Sequence, residues 1–348
     1  MTAPASTPTA LQAAIRRVAF GDSLDAELAT NAFDIIMRGE ATAAQIAALL
    51  IGLRVKGETA DEVTGAARAL RGAMVRLPVA SADDLVDTCG TGGGAVPTFN
   101  ISTAAALLAA GAGVRIAKHG NRSFTTQCGS ADVLEQLGVT LEAPVDVAAR
   151  ALEEAGITFM FAPAMHPAMR HVGPVRRELG IPTVMNIVGP LANPAGAARQ
   201  VVGVAERGRM PLLAGALAAL GAAHAMVVHG EPGMDEISPI GPTHVAEVRD
   251  DAVTEWTIRP EDYGFSGLTA SELVGGGPAE NARTITAVLT GEGNPAARAA
   301  VVLNAAGALY VAPGGRSFAE SVTAASAALA SGAGAAALAR MRRAYADR

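Results

Sequence analysis

The sequence predicts an α/β protein: a small helical N-terminal domain, then a large domain with a mostly parallel central sheet covered by helices. Three observations carry this. Residues 1–78 hold repeated helix-start signals and no strand-like run. After Pro78, short apolar runs alternate with Ala/Leu-rich helical stretches, the pattern of a parallel sheet with helices on both faces. Of 348 residues, 50% are hydrophobic and 17% charged, which suits a sizeable core and excludes general disorder.

In the first domain, Ser23 is placed to cap a helix bearing Leu28, Phe33, Ile35 and Ile36. Thr42 and Gln45 form a capping-box pattern, and Gly57 ends that helix. Thr59 and Glu62 repeat the box. The domain is expected over 1–78, completed by helices within 165–190, where MHPAMRHVGPVRREL is helical in character. The α/β domain is expected over 79–348. Its predicted strands are 85–87, 114–117, 157–162, 200–205 and 225–229, and its predicted helices 102–111 and 131–137. A hairpin over 243–258 turns at Asp250-Asp251, and Ala-rich helices follow at 295–311 and 317–346.

Composition narrows the function. A net charge of −6 with no long basic run argues against a nucleic-acid binder. Two cysteines, Cys89 and Cys128, cannot build a disulfide framework or a four-thiolate zinc site. The first residues lack a signal-peptide pattern, and no apolar run reaches a membrane span, so a cytoplasmic protein with no membrane partner is expected. Only two residues are lysine, Lys56 and Lys118. Lys56, before Gly57, fits a solvated charge at a helix end.

Five segments bear chemical groups. The cluster from Gly90 through Gly93 and Gly94 lies between a strand and a helix, where it suits an anion site or a tight turn. No Gly-Lys dipeptide occurs, which excludes a Walker A loop. Ser102 and Thr103, after Asn100 and Ile101, suit helix capping or contact with phosphate or a hydrated cation. Lys118, His119, Asn121, Arg122 and Ser123, with Thr125, Thr126 and Gln127, crowd cations and hydroxyls into one loop after a strand, as a phosphorylated ligand requires. Asp235-Glu236 suits a Mg²⁺–polyphosphate site or an acidic first helical turn. His166-Pro167, with Arg176 ten residues on, offers a carboxylate clamp or a plain surface arginine.

Together the stretches DTCGTGGG, FNIST, KHGNRS, CGSADVLEQLG, HPAMRHVGPVRRELGIPTVMNIVGPLANP and GMDEIS resemble the anthranilate phosphoribosyltransferase family, in its order, over roughly residues 85–240. Pyrimidine nucleoside phosphorylases share the general fold but not the GPVR–GPLANP combination. The resemblance implies a pentosyltransferase of tryptophan biosynthesis. Phosphoribosyl pyrophosphate and anthranilate would be its substrates, Mg²⁺ its cofactor, and a homodimer through the helical domain its assembly. It further implies that Gly90, Gly93, Gly94, Thr98, Asn100, Ile101, Ser102, Thr103, Lys118 and Ser130 line the phosphoribosyl pyrophosphate site. Ser102, Asp235 and Glu236 would serve the metal. Asn121 and Arg176 would hold anthranilate beside Gly90, with His119, His166 and Pro190 along its approach. Lys118, Asn121 and Arg176 are the residues expected to carry catalysis. Two positions depart from the family: Gly94 stands where an Asp is usual, and Cys128 where a small hydroxyl residue is usual. Both thiols are expected near the active site.

Overall fold

The computed structural model describes residues 8–123 and 127–346. Thr125 and Thr126 of the polar loop, and residues 1–7 of the stretch read for a signal peptide, lie outside the described residues.

Four helices open the chain: α1 (Ala10–Ala19), α2 (Ala26–Met37), α3 (Ala43–Lys56) and α4 (Ala60–Gly72). Both predicted capping boxes form, Thr42 accepting from Gln45 N and Thr59 from Glu62 N, and Gly57 closes α3 at φ 89°. The cap of α2 is Asp25 rather than Ser23, because the Asp25 carboxylate reaches Leu28 N at 2.8 Å. The Ser23 hydroxyl instead meets Lys56 Nζ at 3.3 Å. Lys56 is not a solvated helix-end charge. Its ammonium pairs with Glu62 at 3.0 Å, where both side chains are buried. Glu62 also accepts from Thr59 N and Leu24 N, so one carboxylate closes the box and anchors the chain entering α2.

The remaining elements run β1 (Leu85–Gly90), α5 (Ile101–Gly111), β2 (Arg115–Gly120), α6 (Ser130–Gln136), α7 (Val145–Ala155), β3 (Ile157–Phe161), α8 (Ala162–Met165), α9 (Gly173–Leu179), α10 (Met185–Val188), β4 (Arg199–Gly203), α11 (Met210–Ala219), β5 (His224–Gly230), β6 (Thr243–Arg249), β7 (Ala252–Ile258), α12 (Pro278–Leu289), α13 (Pro295–Val311), α14 (Phe318–Ala330) and α15 (Ala333–Ala346). Helices α7, α11 and α12 were not expected from the sequence. The stretch 317–346 is two helices bent by 70° rather than one, with Gly332 at φ 70° between them.

One seven-stranded sheet has the order β3-β2-β1-β4-β5-β6-β7. The strands from β3 to β5 are parallel, and β6 and β7 add an antiparallel hairpin. Asp250 and Asp251 take φ 51° and 59° at its tip, the left-handed pair that a two-residue hairpin turn requires. From β1 the chain moves outward through β2 and β3, then returns as β4 on the other side of β1. The two connections part above β1 and β4, and ligands of open α/β sheets bind in such a crevice.

The core forms on both sheet faces. On one, the apolar helices α5 and α13 pack over Val86, Ile116, Val201 and Val228. On the other, Val202, Ala225 and Val227 join Leu49 and Leu53 of α3, and also Val172, Val175, Val184 and Ile187 of the segment between β3 and β4. That segment, two 3₁₀ turns and short helices, packs against the N-terminal helices. At the other end of the sheet the Tyr345 hydroxyl bonds Thr158 Oγ1 at 2.8 Å and both the N–H and the C=O of Phe159 at 3.0 Å. Among the described residues β3 itself pairs with β2 alone.

Candidate active site

The glycine loop after β1 and the acidic turn after β5 form one unit. Gly92 N donates to Asp235 Oδ2 at 2.8 Å, Ala95 N to Gly233 O at 2.7 Å, and Thr91 N to Gly203 O at 2.9 Å. Close approach explains the glycine at the end of β4: a Cβ on Gly203 would lie 1.6 Å from Asp235 O. Asp235 and Glu236 sit in a turn that bridges back to Gly230, not in a helix, which corrects the helical alternative. Thr98 donates to Glu236 Oε1 at 3.3 Å. Gly93 turns the loop at φ 83°, where an added Cβ would meet nothing within 4 Å among the described residues, and a Cβ on Gly94 would meet Asp235 Oδ1 at 3.2 Å. An acid at position 94 would therefore set a further carboxylate against this turn, and this chain carries none.

Helix α5 supplies the next wall. Asn100 is at its cap position, yet its side chain makes no capping bond among the described residues. Ser102 and Thr103 are thus not capping residues, contrary to that sequence alternative. The Ser102 hydroxyl faces Lys118 Nζ at 3.4 Å, and Thr103 is buried with its hydroxyl unpartnered among the described residues. The Ile101 side chain is buried in the apolar core, so its backbone is all it can offer a ligand. Asn100 is held from two sides, donating to Cys128 O at 3.1 Å and accepting from Asn281 of α12 at 2.9 Å. Lys118 lies within β2, 3% exposed, and donates to Thr88 O.

On the opposite side of β2, His119 N donates to buried Asp87, whose other oxygen accepts from Asn193 at 2.7 Å. The His119 and His166 rings lie 4.9 Å apart between centroids. Burial depresses both, His119 to about 3 and His166 to about 4, so both rings are neutral at pH 7. Asn121 follows β2, and its C=O accepts from Ala131 N and Ser130 Oγ, which joins it to the start of α6. Pro190 is buried in a 3₁₀ turn beside Gln200. Arg176 lies on half-buried α9, and burial lowers its pKa. It makes no ion pair among the described residues.

The site is poor in positive charge. Asp87 is buried and Asp235 and Glu236 are half-buried, and burial pushes each of these carboxyls up. Lys118 is the buried ammonium among them, lowered by the same cause. No ion pair neutralises Asp235 or Glu236 among the described residues. With Ser102 they border a cavity of about 10 Å³. Adjacent half-buried oxygen donors beside a hydroxyl fit a hard divalent cation that keeps part of its water shell. Cys89 lines this cavity, and burial raises its thiol well above the ordinary range. Cys128 is also raised, to about 11, and donates to Asn100 Oδ1.

Sequence reasoning missed four supporting residues: Asp87, Asn193, Asn281 and Asn304. Asn304 also lines the cavity, from α13. Its signal was visible, as a lone carboxamide inside an apolar helix.

A glycine-bearing crevice at a strand switch point, with an ammonium and paired carboxylates, defines a class that handles phosphorylated ligands. Two family descriptions place the chain in that class: a glycosyl transferase family α/β domain over residues 82–335 and a glycosyl transferase helical bundle domain over 12–74. An anthranilate phosphoribosyltransferase of Rubrobacter xylanophilus is 52% identical, covering 96% of this chain and 97% of its own. The Thermus thermophilus anthranilate phosphoribosyltransferase structure superposes with a TM-score of 0.90 at 42% identity, covering 96% of this chain and 99% of that one. The Saccharomyces cerevisiae enzyme in complex with PRPP and Mg gives 0.88 at 26% identity, covering 97% and 98%. The chain belongs to the anthranilate phosphoribosyltransferase family.

Proposed function

We infer that the crevice above β1 and β4 joins a phosphoribosyl group to an aromatic amine. The chain transfers the 5-phosphoribosyl group from phosphoribosyl pyrophosphate to anthranilate, giving N-(5-phosphoribosyl)anthranilate and pyrophosphate, in tryptophan biosynthesis. The observation that carries the reading is the bond from Gly92 N to Asp235, which unites an anion loop with paired carboxylates. Anthranilate fluorescence falls when enzyme, phosphoribosyl pyrophosphate and Mg²⁺ are combined. An unchanged signal across a range of Mg²⁺ concentrations overturns the reading.

In this reading Gly90, Gly93 and Gly94 let backbone N–H groups approach the pyrophosphate. Thr98, Asn100, Ser102, Thr103, Lys118 and Ser130 complete its cradle, with Ile101 contributing backbone. Ser102, Asp235 and Glu236 would hold Mg²⁺. When bound, the metal supplies positive charge to the departing phosphates. Lys118 adds a compact ammonium where leaving charge develops. Arg176 clamps the anthranilate carboxylate in bidentate fashion, and Asn121 orients the ring. The neutral rings of His119 and His166, with Pro190, line its approach without drawing in other anions. The aromatic amine is neutral at pH 7, so attack needs no strong base, and alignment supplies much of the acceleration.

The helical domain forms a homodimer. Phe20 and Val55, at the C-terminal ends of packed helices α1 and α3, are 83% and 81% exposed. Replacing both by Glu yields a monomer in sedimentation. A dimer of unchanged mass overturns this assignment. The location is cytoplasmic, and no single helix among the described residues is long and apolar enough to cross a membrane.

A further inference from the structure

We propose that Asn304 is a positioning residue that aims the paired carboxylates Asp235 and Glu236. The proposal rests on reading those carboxylates as the metal turn. Helix α13 is apolar through nearly its whole buried length, and Asn304 lies in its middle at 6% exposure. Its carboxamide grips a single residue from both sides. Oδ1 accepts from Ile237 N at 2.9 Å, and Nδ2 donates to Ile237 O at 2.8 Å. The second Nδ2 hydrogen goes to Ala300 O at 2.9 Å, so both N–H donors are used and the orientation of the group is determined. Ile237 directly follows Glu236.

The same helix also receives the Ile237 side chain. A Cβ on Gly307, one turn beyond Asn304, would lie 2.9 Å from Ile237 Cδ1. Glycine in a helix interior weakens the helix, so its presence there fits a packing need. Asn304 and Gly307 thus form a socket, one holding the Ile237 backbone and the other its side chain. From the opposite direction the acidic turn is pressed onto glycines, since a Cβ on Gly230 would meet Glu236 O at 2.5 Å. A turn with no helix or strand of its own is held between two rigid elements. A buried carboxamide costs desolvation unless its partners are fixed, and here they are fixed at the residue beside the metal pair.

The test compares wild type with Asn304→Ala, Gly307→Ala and Glu236→Gln. The readouts are calorimetric binding of phosphoribosyl pyrophosphate with Mg²⁺, the KM for anthranilate, and the melting temperature. Asn304→Ala weakens the Mg²⁺-dependent binding about tenfold, the equivalent of one buried hydrogen bond, while the anthranilate KM stays within about twofold. Gly307→Ala, a milder disturbance of the same socket, moves binding in the same direction by about threefold. It carries the test alone if Asn304→Ala does not fold. Equal losses for both substrates, or a lowered melting temperature with unchanged Mg²⁺-dependent binding, overturn the proposal. If Glu236→Gln weakens binding and neither α13 variant does, only the proposal falls. If Glu236→Gln also leaves binding unchanged, the metal reading falls and the proposal with it.

Discussion

Lys118→Arg lowers kcat by about 10²–10³-fold, the loss seen when one donor to a developing negative charge is misplaced. The reason is local. Lys118 is 3% exposed within β2, and its ammonium contacts Thr88 O and Ser102 Oγ. A guanidinium keeps the charge but is broader and planar, so it cannot keep both contacts in the same space. Inserting the extra volume also disturbs the packing, by about 1–3 kcal/mol for a filled interior. Steady-state turnover at saturating substrates checks the effect, with a thermal melt to separate it from unfolding. Near-normal kcat would show that positive charge alone suffices and that compactness at this position is irrelevant.

Arg176→Ala raises the KM for anthranilate about tenfold to a hundredfold, matching the ≈ 1.5–3 kcal/mol of a hydrogen bond to a charged group. Binding of phosphoribosyl pyrophosphate, read by calorimetry without anthranilate, changes by less than about twofold, as expected for a group with no contact to it. This asymmetry is the diagnostic part. Arg176 is half-buried and makes no ion pair among the described residues, so its removal breaks no structural bridge. Equal losses for both substrates would refute the carboxylate clamp.

The helical start of the chain was legible because capping boxes are local. Thr42 with Gln45, and Thr59 with Glu62, act three residues apart, and the structure uses both. The strands were legible as short apolar runs, and Asp250-Asp251 as a turn. Local reading failed where two signals competed within a few residues, as with Ser23 and Asp25, where the carboxylate took the cap. It also passed over α12, which begins directly after a glycine run. The motifs of the site were legible one by one, but their union was not. The bond from Gly92 to Asp235 spans 143 residues, and no spacing rule reaches that far. Lys56 read as a solvated charge because its partner lies one helix further on, in Glu62. Asn304 was legible as a lone carboxamide in apolar α13, but its partner Ile237 lies 67 residues away and no local rule connects the two.

The tyrosine near the end of the last helix bears on solubility. β3 is the outermost strand on its side, so its outer N–H and C=O groups would otherwise offer a template to a strand of another molecule. One hydroxyl, that of Tyr345, closes both polar groups of Phe159 at once, and α15 brings bulk over the strand. The antiparallel margin at β7 is guarded differently, by exposed Thr254, Glu255 and Thr257 along the strand. The two margins of the sheet are thus closed against aggregation by different means, a covering helix on one side and polar, charged side chains on the other.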